Sequence, residues 1–529
     1  MYTFMELFAG CGGLSLGLRS TGFAELFANE LSPMAGESFA FNLTGADLRS
    51  SGFQDTSIAE RPVIWLGSDT NDINQRLTEN PYTVAGDMDD TASIDSLIGR
   101  LAIGDVRRLN DIITDRPGLI GTAGKVDLVA GGPPCQSFTM AGRRERDNHR
   151  NQLPWEFAKF VDAVKPRMML LENVEGILRP FRNDDGTKWY AWFEVCKAFA
   201  KTGYATLPLL VNARNAGVPQ NRPRFIIIGV RHDLIGNLDM ETMGLFTQGE
   251  RMVGELVSCA DIPFDGTWTY RDLTNPVKEE VPDILTPLLS TLGAPLTVRD
   301  AIGDLHQTTA PLPVSQYVTG LNAMLGSVLS KPVTASETMT GNTVPSNNPK
   351  VKARFRLFQV VNTLMGGDAH EVMAGRELDD FIHHRTGDIS DATLSVVLQS
   401  KSGLLPYGDM RVPVSVDGLR EYCTGLVTRK RSQGALRAGA VSPAVLSNMD
   451  DNCHYSEPRS INVRELARLQ SFPDSYEFRG PVNTGGLNRR WQVPQYTQIG
   501  NAVPPLLGRA LGMVVTGILR QLDDDALAE

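Results

Sequence analysis

Asp127-Leu-Val-Ala-Gly-Gly-Pro-Pro-Cys-Gln-Ser-Phe138 is the stretch from which the fold of this chain can be predicted. Its first residues, through Ala130, form a short apolar run that is typical of a central strand in a parallel sheet. Two glycines then allow a sharp turn, and two prolines fix φ and remove two backbone donors. We therefore expect Cys135 at the carboxyl edge of the sheet, where open α/β folds bind their ligands.

Cys135 can be interpreted in two ways. A thiolate is a strong nucleophile near neutral pH, which makes this residue a candidate for covalent catalysis. Cysteine is also a small apolar residue that is commonly buried for packing alone. The stretch by itself favours neither interpretation.

The composition is that of a globular protein without disulfides. The chain has 529 residues, of which 42% are hydrophobic and 21% charged. Its six cysteines lie far apart with no CxxC pair, which argues against a disulfide framework and a zinc ribbon, so we predict no metal site. We find no leader pattern and no apolar run of membrane-spanning length, and expect a cytoplasmic protein that does not bind membranes.

The net charge of −10 is unfavourable for binding nucleic acid unless the charges are segregated. From Leu43 to Arg100 there are ten acidic and four basic residues, whereas Lys401 to Ala440 holds seven basic and three acidic ones. The acidic stretch has the character of an insertion. We expect it to project away from any DNA as a solvated or docking surface, with mimicry of DNA over an empty groove as the alternative.

A glycine-rich turn follows the first apolar strand and precedes a helical pattern, as in folds that bind a nucleoside cofactor. The next strand, Ala24 to Glu30, ends in an acid at the position that binds ribose hydroxyls in dinucleotide folds. Asp105 follows a further strand. Each acid alone is typical of a solvated loop, but together with the glycine turn they predict a doubly wound, mostly parallel sheet with a nucleoside cofactor.

Polar residues also mark two later strands. In the strand predicted over Arg167 to Val174, four apolar residues precede Glu172, and a carboxylate at such a place must be paired if it is buried. Arg222 and Arg224 lie two residues apart where another apolar strand begins, so they share one face and could hold a carboxylate or a carbonyl oxygen of a substrate.

Six motifs in order make the chain resemble the bacterial cytosine-C5 DNA methyltransferases. They are Phe8-Ala-Gly-Cys-Gly-Gly13, Gly132-Pro-Pro-Cys-Gln136, Glu172-Asn-Val174, Gln220-Asn-Arg-Pro-Arg224, Arg464-Glu-Leu-Ala-Arg-Leu-Gln470 and Gly500-Asn-Ala-Val-Pro-Pro505. The resemblance implies a Rossmann-like class I methyltransferase fold with a second, smaller and irregular target-recognition domain. We predict a catalytic domain over 1–300, target recognition over 301–480 and a return to the catalytic domain over 481–529.

The resemblance also implies the chemistry. Cys135 would attack C6 of a cytosine flipped out of double-stranded DNA, Glu172 would hold N3, and Arg222 and Arg224 would lie beside the base, with Arg224 nearer O2. The methyl donor would be S-adenosyl-L-methionine. The residues implied at its site are Phe8, Gly10, Gly12, Leu14, Glu30, Asp105, Val106, Pro133, Leu153, Asn501, Ala502 and Val503.

Other functions remain open at this point. A transfer-RNA cytosine methyltransferase has similar core motifs, although the long middle region favours a DNA enzyme. A catalytically silent DNA-binding scaffold would not need Cys135, Glu172 and Arg224 together. We expect a monomer on DNA that marks host DNA, possible companions being restriction or other phage-defence proteins.

Overall fold

The described part of the chain covers nine segments of the computed structural model. They are residues 1–121, 124–134, 152–182, 186–277, 280–306, 311–332, 339–400, 403–430 and 432–524. Cys135 lies outside them, and Pro134 is the last described residue before it.

A nine-stranded sheet forms the centre of the molecule. Its strands are β1 (Thr3–Leu7), β2 (Ala24–Glu30), β3 (Val63–Trp65), β4 (Arg100–Ile103), β5 (Leu128–Gly131), β6 (Met168–Val174), β9 (Tyr204–Asn212), β10 (Pro223–Arg231) and β11 (Arg271–Leu273). They lie side by side in the order β11-β9-β10-β6-β5-β1-β2-β4-β3. Strand β10 runs antiparallel to both of its neighbours, and the others share one direction. The prediction of a doubly wound, mostly parallel sheet is confirmed.

Two short ribbons complete the strands of the described chain. They are β7 (Phe181–Arg182) with β8 (Lys188–Trp189), and β12 (Gly434–Ala435) with β13 (Asn452–Cys453). The α-helices, in chain order, are α1 (Gly13–Arg19), α2 (Pro33–Phe39), α3 (Ser51–Asp55), α4 (Ile73–Arg76), α5 (Val106–Asp115), α6 (Leu153–Val164), α7 (Ala191–Lys201), α8 (Met240–Leu245), α9 (Thr247–Ser258), α10 (Val298–Ile302), α11 (Gln316–Gly326), α12 (Pro349–Leu364), α13 (Ala369–Ile382), α14 (Asp391–Gln399), α15 (Val416–Thr424), α16 (Val463–Leu469), α17 (Gln495–Asn501) and α18 (Pro505–Asp524).

Strand order reverses beside β1, and this reversal fixes where a ligand can bind. The chain continues from β1 to β2 on one side, then returns to place β5 on the other side of β1. A crevice opens at such a point outside the carboxyl ends of the strands. Both the glycine-rich turn after β1 and the Gly-Pro-Pro turn after β5 lie at this edge.

Alternating residues of the strands enter cores on opposite faces of the sheet. Met5, Val129 and Met169 belong to one core, which α5, α6 and α7 cover. Phe4, Leu128 and Met168 belong to the other, which α1 and α18 cover. On that second face, α10, α11, α16 and α17 cover the half of the sheet formed by β2, β4 and β3.

The middle of the chain is more regular than its sequence predicts. Helices α12 to α15 enclose a core of their own, which includes Phe355, Leu378, Leu394 and Tyr422. Each helix begins where a side chain accepts a hydrogen bond from the backbone of its first turn, the caps being Asn348, Asp368, Ser390 and Ser415. The predicted boundaries at 300 and 480 remain a prediction.

Residues 43–100 are joined to the main sheet, because β3 pairs with β4 at its edge.

In the described chain no single helix is long and apolar enough to cross a membrane. A bent pair, Gly486–Asn501 with Pro505–Asp523, reaches that threshold only together.

Candidate active site

Glu172 and Arg224 form an ion pair at the carboxyl edge of the sheet. Glu172 is on β6, and Arg224 lies diagonally across from it on the antiparallel strand β10. Arg224 Nε is 2.7 Å from Glu172 Oε1, and the two side chains are only 12% and 11% exposed. A carboxylate so deeply buried needs a partner, which explains why the two residues occur together. Burial lowers the pKa of Arg224, and Glu172 opposes this effect.

The turn that leads to Cys135 packs directly on this pair. A Cβ atom at Gly132 would lie 3.1 Å from Glu172 Oε2, so the position leaves little room for a side chain. Asn173 Nδ2 donates a hydrogen bond of 3.2 Å to the carbonyl of the buried Pro133. The backbone immediately before Cys135 is therefore fixed against Glu172 and Asn173.

Arg222 is placed differently from Arg224. Its side chain is 3% exposed, and its guanidinium donates to the carbonyls of Gly500 (2.8 Å), Ala502 (3.1 Å) and Val445 (3.3 Å). Burial, and next the charge of Arg224, lower the pKa of Arg222 well below its usual value. Arg222 therefore joins three segments of the chain by hydrogen bonds.

Two glutamines extend this junction, and the sequence analysis assigned neither of them. Gln220 Nε2 donates to Gln470 Oε1 at 2.6 Å, and Gln470 Nε2 donates to the carbonyl of Ala502 at 2.6 Å. Gln220 Oε1 accepts from the backbone of Val445 at 3.0 Å. Both glutamines could have been identified from the sequence, since they lie inside two of the six motifs that carry the family resemblance.

The glycine-rich turn opens toward the crevice. Phe8 and Gly10 have positive φ values of 58° and 57°. A Cβ atom at Gly10 would meet nothing within 4 Å, whereas one at Gly12 would lie 2.4 Å from the side chain of Leu43. Gly10 therefore faces open space, and Gly12 is required by close packing. Leu14 is 1% exposed and packs in the core between α1 and α18.

The acids at the ends of β2 and β4 are held in place by backbone contacts. Glu30 accepts hydrogen bonds from Gly10 N and Ser32 N, both at 2.8 Å, and burial raises its pKa. Asp105 caps α5 by accepting from Arg107 N at 2.8 Å. Asn29, which the sequence analysis did not identify, donates to the carbonyls of Ala102 and Gly104 and so joins the two strand ends.

The remaining predicted cofactor residues lie around the same edge or support it. Val106 is 3% exposed and belongs to the core under α5. Leu153 begins α6 and is half-buried. Ala502 and Val503 contact the first turn of α1, where a Cβ atom at Gly13 would lie 2.2 Å from the carbonyl oxygen of Val503. The neighbouring Asn501 is exposed.

The chain matches a model of the C-5 cytosine-specific DNA methylases over residues 2–61, 98–286 and 398–516. The chain belongs to this family. The prediction of a DNA cytosine-5 methyltransferase is thereby confirmed, and a catalytically silent scaffold no longer competes.

Relatives of this C-5 cytosine-specific DNA methylase align over nearly its full length. The type II methyltransferase M.AgeI of Thalassovita gelatinovora is 27% identical, covering 97% of this chain and 98% of its own. M.DdeI of Desulfomicrobium norvegicum is 24% identical over 96% of this chain and 86% of its own. Among solved structures, a candidate DNA modification methyltransferase of an E. coli prophage has 18% identity and a TM-score of 0.48, covering 98% and 100%.

Proposed function

We propose that this methylase transfers a methyl group from S-adenosyl-L-methionine to C5 of a cytosine flipped out of double-stranded DNA, with Cys135 as the nucleophile. The observation that carries the proposal is the buried Glu172–Arg224 pair at 2.7 Å, against which the Gly132-Pro133 backbone packs. This arrangement supports placing a nucleophile beside a charge-stabilising carboxyl group, as attack on a cytosine ring requires.

The cytosine must leave the helix before it can react. Flipping costs a few kcal/mol of unstacking, which contacts to the extruded base must offset. We infer that Glu172 holds N3 through a proton and that Arg224, fixed to Glu172, approaches O2. Both groups are desolvated, so their interactions with the base are stronger than they would be in water.

The covalent step follows from these placements. The Cys135 sulfur bonds to C6, and the electron pair of the C5–C6 double bond is displaced toward C5 and N3. Glu172 stabilises the charge that develops at N3. When bound, S-adenosyl-L-methionine would supply an electrophilic methyl group, whose bond to the sulfonium sulfur breaks as the bond to C5 forms, so that the electron pair stays on the neutral thioether product. The C5 proton is then lost to solvent, its electron pair restores the C5–C6 double bond, the bond between C6 and the Cys135 sulfur breaks, and the thiolate is regenerated.

The residues at the crevice fit a nucleoside cofactor. Gly10 borders open space, and Glu30 and Asp105 present carboxyl groups from adjacent strand ends. We infer that Phe8, Gly10 and Gly12 pass beneath the cofactor, that Glu30 binds ribose hydroxyls and that Asp105 and Val106 border the adenine. Ala502 and Val503, which contact Gly13, would close the site from the C-terminal side.

Sequence choice is assigned to the middle region, and the separate core of α12 to α15 supports treating it as its own recognition unit. We further propose that the enzyme acts as a monomer on DNA and marks host DNA, in the manner that the names of its type II relatives suggest.

The test is direct chemical identification of the product. Purified protein is incubated with duplex DNA and S-adenosyl-L-methionine carrying a labelled methyl group, and the digested nucleosides are analysed by mass spectrometry. We expect labelled 5-methyldeoxycytidine. Label in N4-methyldeoxycytidine, or label only in transfer RNA offered in parallel, would contradict the proposal.

A further inference from the structure

The edge segment, residues 62–97, lies between two stretches that match the family model, which end at residue 61 and resume at residue 98. It holds most of the acidic residues that the sequence analysis could not assign. Most of these acids form hydrogen bonds within the segment itself. Asp69, Asp72, Glu79, Asp89 and Asp90 each accept a hydrogen bond from the backbone within it.

A buried ion pair gives the edge segment a rigid interior. Arg76 and Asp90 are each 2% exposed and are 2.9 Å apart. Asp90 also accepts from the backbone of Trp65 at 2.9 Å, and the Arg76 guanidinium lies 5.2 Å from the Trp65 ring. Because Trp65 is the last residue of β3, these contacts attach the segment to the sheet. A buried pair with additional hydrogen bonds resists rearrangement, since separating it leaves an unpaired charge.

Arg108 connects this segment to α5 close to the Asp105 cap. Its guanidinium donates to Asp89 at 2.8 Å and to the carbonyl of Gly86 at 3.1 Å. A Cβ atom at Gly86 would lie 2.5 Å from Arg108 Nη1, so a side chain there would displace the guanidinium. Gly67 also lies against this guanidinium, since a Cβ atom at Gly67 would be 3.0 Å from Arg108 Nη1.

The same segment also contacts the turn that carries Asp105. Leu66 N donates to the carbonyl of Ile103 at 2.8 Å. A Cβ atom at Gly104 would lie 2.7 Å from Leu66 Cβ, so the turn and the segment are in van der Waals contact. Gly104 through Val106 is thus held between β4 on one side and the edge segment on the other.

We propose that the edge segment positions the cofactor's adenosine end, with Arg108 as the residue that fixes Asp105 and Val106 in place. This inference rests on the proposed function, because it concerns the same cofactor. The acidic stretch then has a role in cofactor binding, at the edge of the sheet that lies away from Glu172. This role replaces the expected docking surface and the alternative of DNA mimicry.

Arg108→Ala tests the inference, and Arg116→Ala is its matched control. Arg116 also ties α5 to the edge segment, donating to the carbonyls of Thr91 (2.8 Å) and Ile94 (3.0 Å), but at the opposite end of the helix. Cofactor affinity is measured by calorimetry, and KM and kcat are measured separately for S-adenosyl-L-methionine and for DNA.

For Arg108→Ala we expect the cofactor Kd and KM to rise about tenfold, the equivalent of roughly one charged hydrogen bond. The KM for DNA and kcat at saturating cofactor stay within about twofold, because no group at the reacting atoms changes. Gly86→Ala keeps the Arg108 side chain but adds a Cβ atom that displaces its guanidinium, so we expect the same pattern. Arg116→Ala should lower only thermal stability.

An unchanged cofactor Kd in Arg108→Ala and in Gly86→Ala would overturn the inference, as would an equal rise in Arg116→Ala. Should Arg108→Ala not fold, Asp89→Asn weakens the same contact from the other side and carries the same expectations. Wild-type protein that binds no S-adenosyl-L-methionine would instead refute the proposed function. The two failures are therefore distinguishable.

Discussion

At the scale of single residues, the site depends on one carboxyl group that is buried and paired. Glu172 was predicted from an apolar strand that ends in an acid, and its partner Arg224 from an arginine at the start of another strand. The structure brings these two side chains together at 2.7 Å. The catalytic roles assigned to them remain proposals that substitution can test.

Glu172→Gln should lower the single-turnover rate by about 10²-fold or more, because the amide keeps the shape but cannot hold a proton at N3. Rapid-quench measurement of methyl transfer at saturating DNA and cofactor gives this rate. Glu175→Gln is the matched control, since Glu175 is exposed three residues further along the chain. A near-normal rate in Glu172→Gln would remove Glu172 from its proposed role.

A second cluster of acids, Glu6 and Glu25, makes stability depend on pH. Ser15 Oγ is hydrogen-bonded to Glu25 at 2.7 Å and also to Glu6, which is 2% exposed. Burial raises the pKa of Glu6 well above its usual value and that of Glu25 from 4.5 to about 7. The folded protein therefore keeps a proton on Glu25 that the unfolded chain has released, so this group contributes stability that is fully present below its ordinary pKa of 4.5 and is lost as pH rises toward about 7.

Glu25→Gln should remove much of this dependence. We expect the free energy of unfolding of wild-type protein to fall by roughly 1–3 kcal/mol between pH 5 and pH 7, and that of the variant to fall less. Urea denaturation at the two pH values measures the difference. Glu60→Gln, at an exposed position, serves as control. Parallel curves for all three proteins would show that Glu25 does not titrate in this range.

At the scale of elements, the sequence predicted those strands whose apolar runs end in glycine, proline or an acid. Strand β2 ends at Glu30 as expected, and β6 and β10 differ from prediction only at their ends. Strand β3 could not be predicted, because three residues within an acidic stretch give no usable period. Helices α12 to α15 were missed for a related reason, since their apolar residues form no sustained stripe.

Arg222 shows what sequence spacing cannot decide. It lies two positions before Arg224, and this spacing predicted a common face and a shared role for the two arginines. Arg222 precedes the first residue of β10, however, and its side chain turns to the carbonyls of Gly500 and Ala502. The alternation of a strand does not apply outside the strand.

The C-terminal region forms two helices, α17 and α18, with Ala502 and Val503 between them. This break places both residues on the first turn of α1. Gly13→Ala should displace them, because its Cβ would lie 2.2 Å from the Val503 carbonyl oxygen. We expect a stability loss of about 1–3 kcal/mol together with weaker cofactor binding.

Chemical denaturation and calorimetry measure the two effects of Gly13→Ala. Gly244→Ala is the control, since Gly244 lies in a helix with nothing within 4 Å of a Cβ atom. Cofactor binding of wild-type strength in Gly13→Ala would show that the 502–503 backbone does not border the cofactor.

At the scale of the whole molecule, the family could be identified from six short motifs, whereas the way they meet could not. Gln220, Gln470, Arg222 and Ala502 come from distant parts of the sequence and form one hydrogen-bonded junction. No spacing rule joins residues more than two hundred positions apart. The DNA site that the enzyme recognises could not be predicted from the amino-acid sequence either, because direct readout of bases depends on the geometry of a complex.

We propose Cys135 as the nucleophile in methyl transfer to C5 of cytosine in DNA. Bisulfite sequencing of DNA from cells that express wild-type protein, Cys135→Ser or Cys259→Ser tests this role, Cys259 being an exposed cysteine outside the site. We predict protected cytosines within one short sequence for wild-type and Cys259→Ser, and none for Cys135→Ser at equal protein levels. Equal protection in cells expressing Cys135→Ser would show that Cys135 is not the nucleophile.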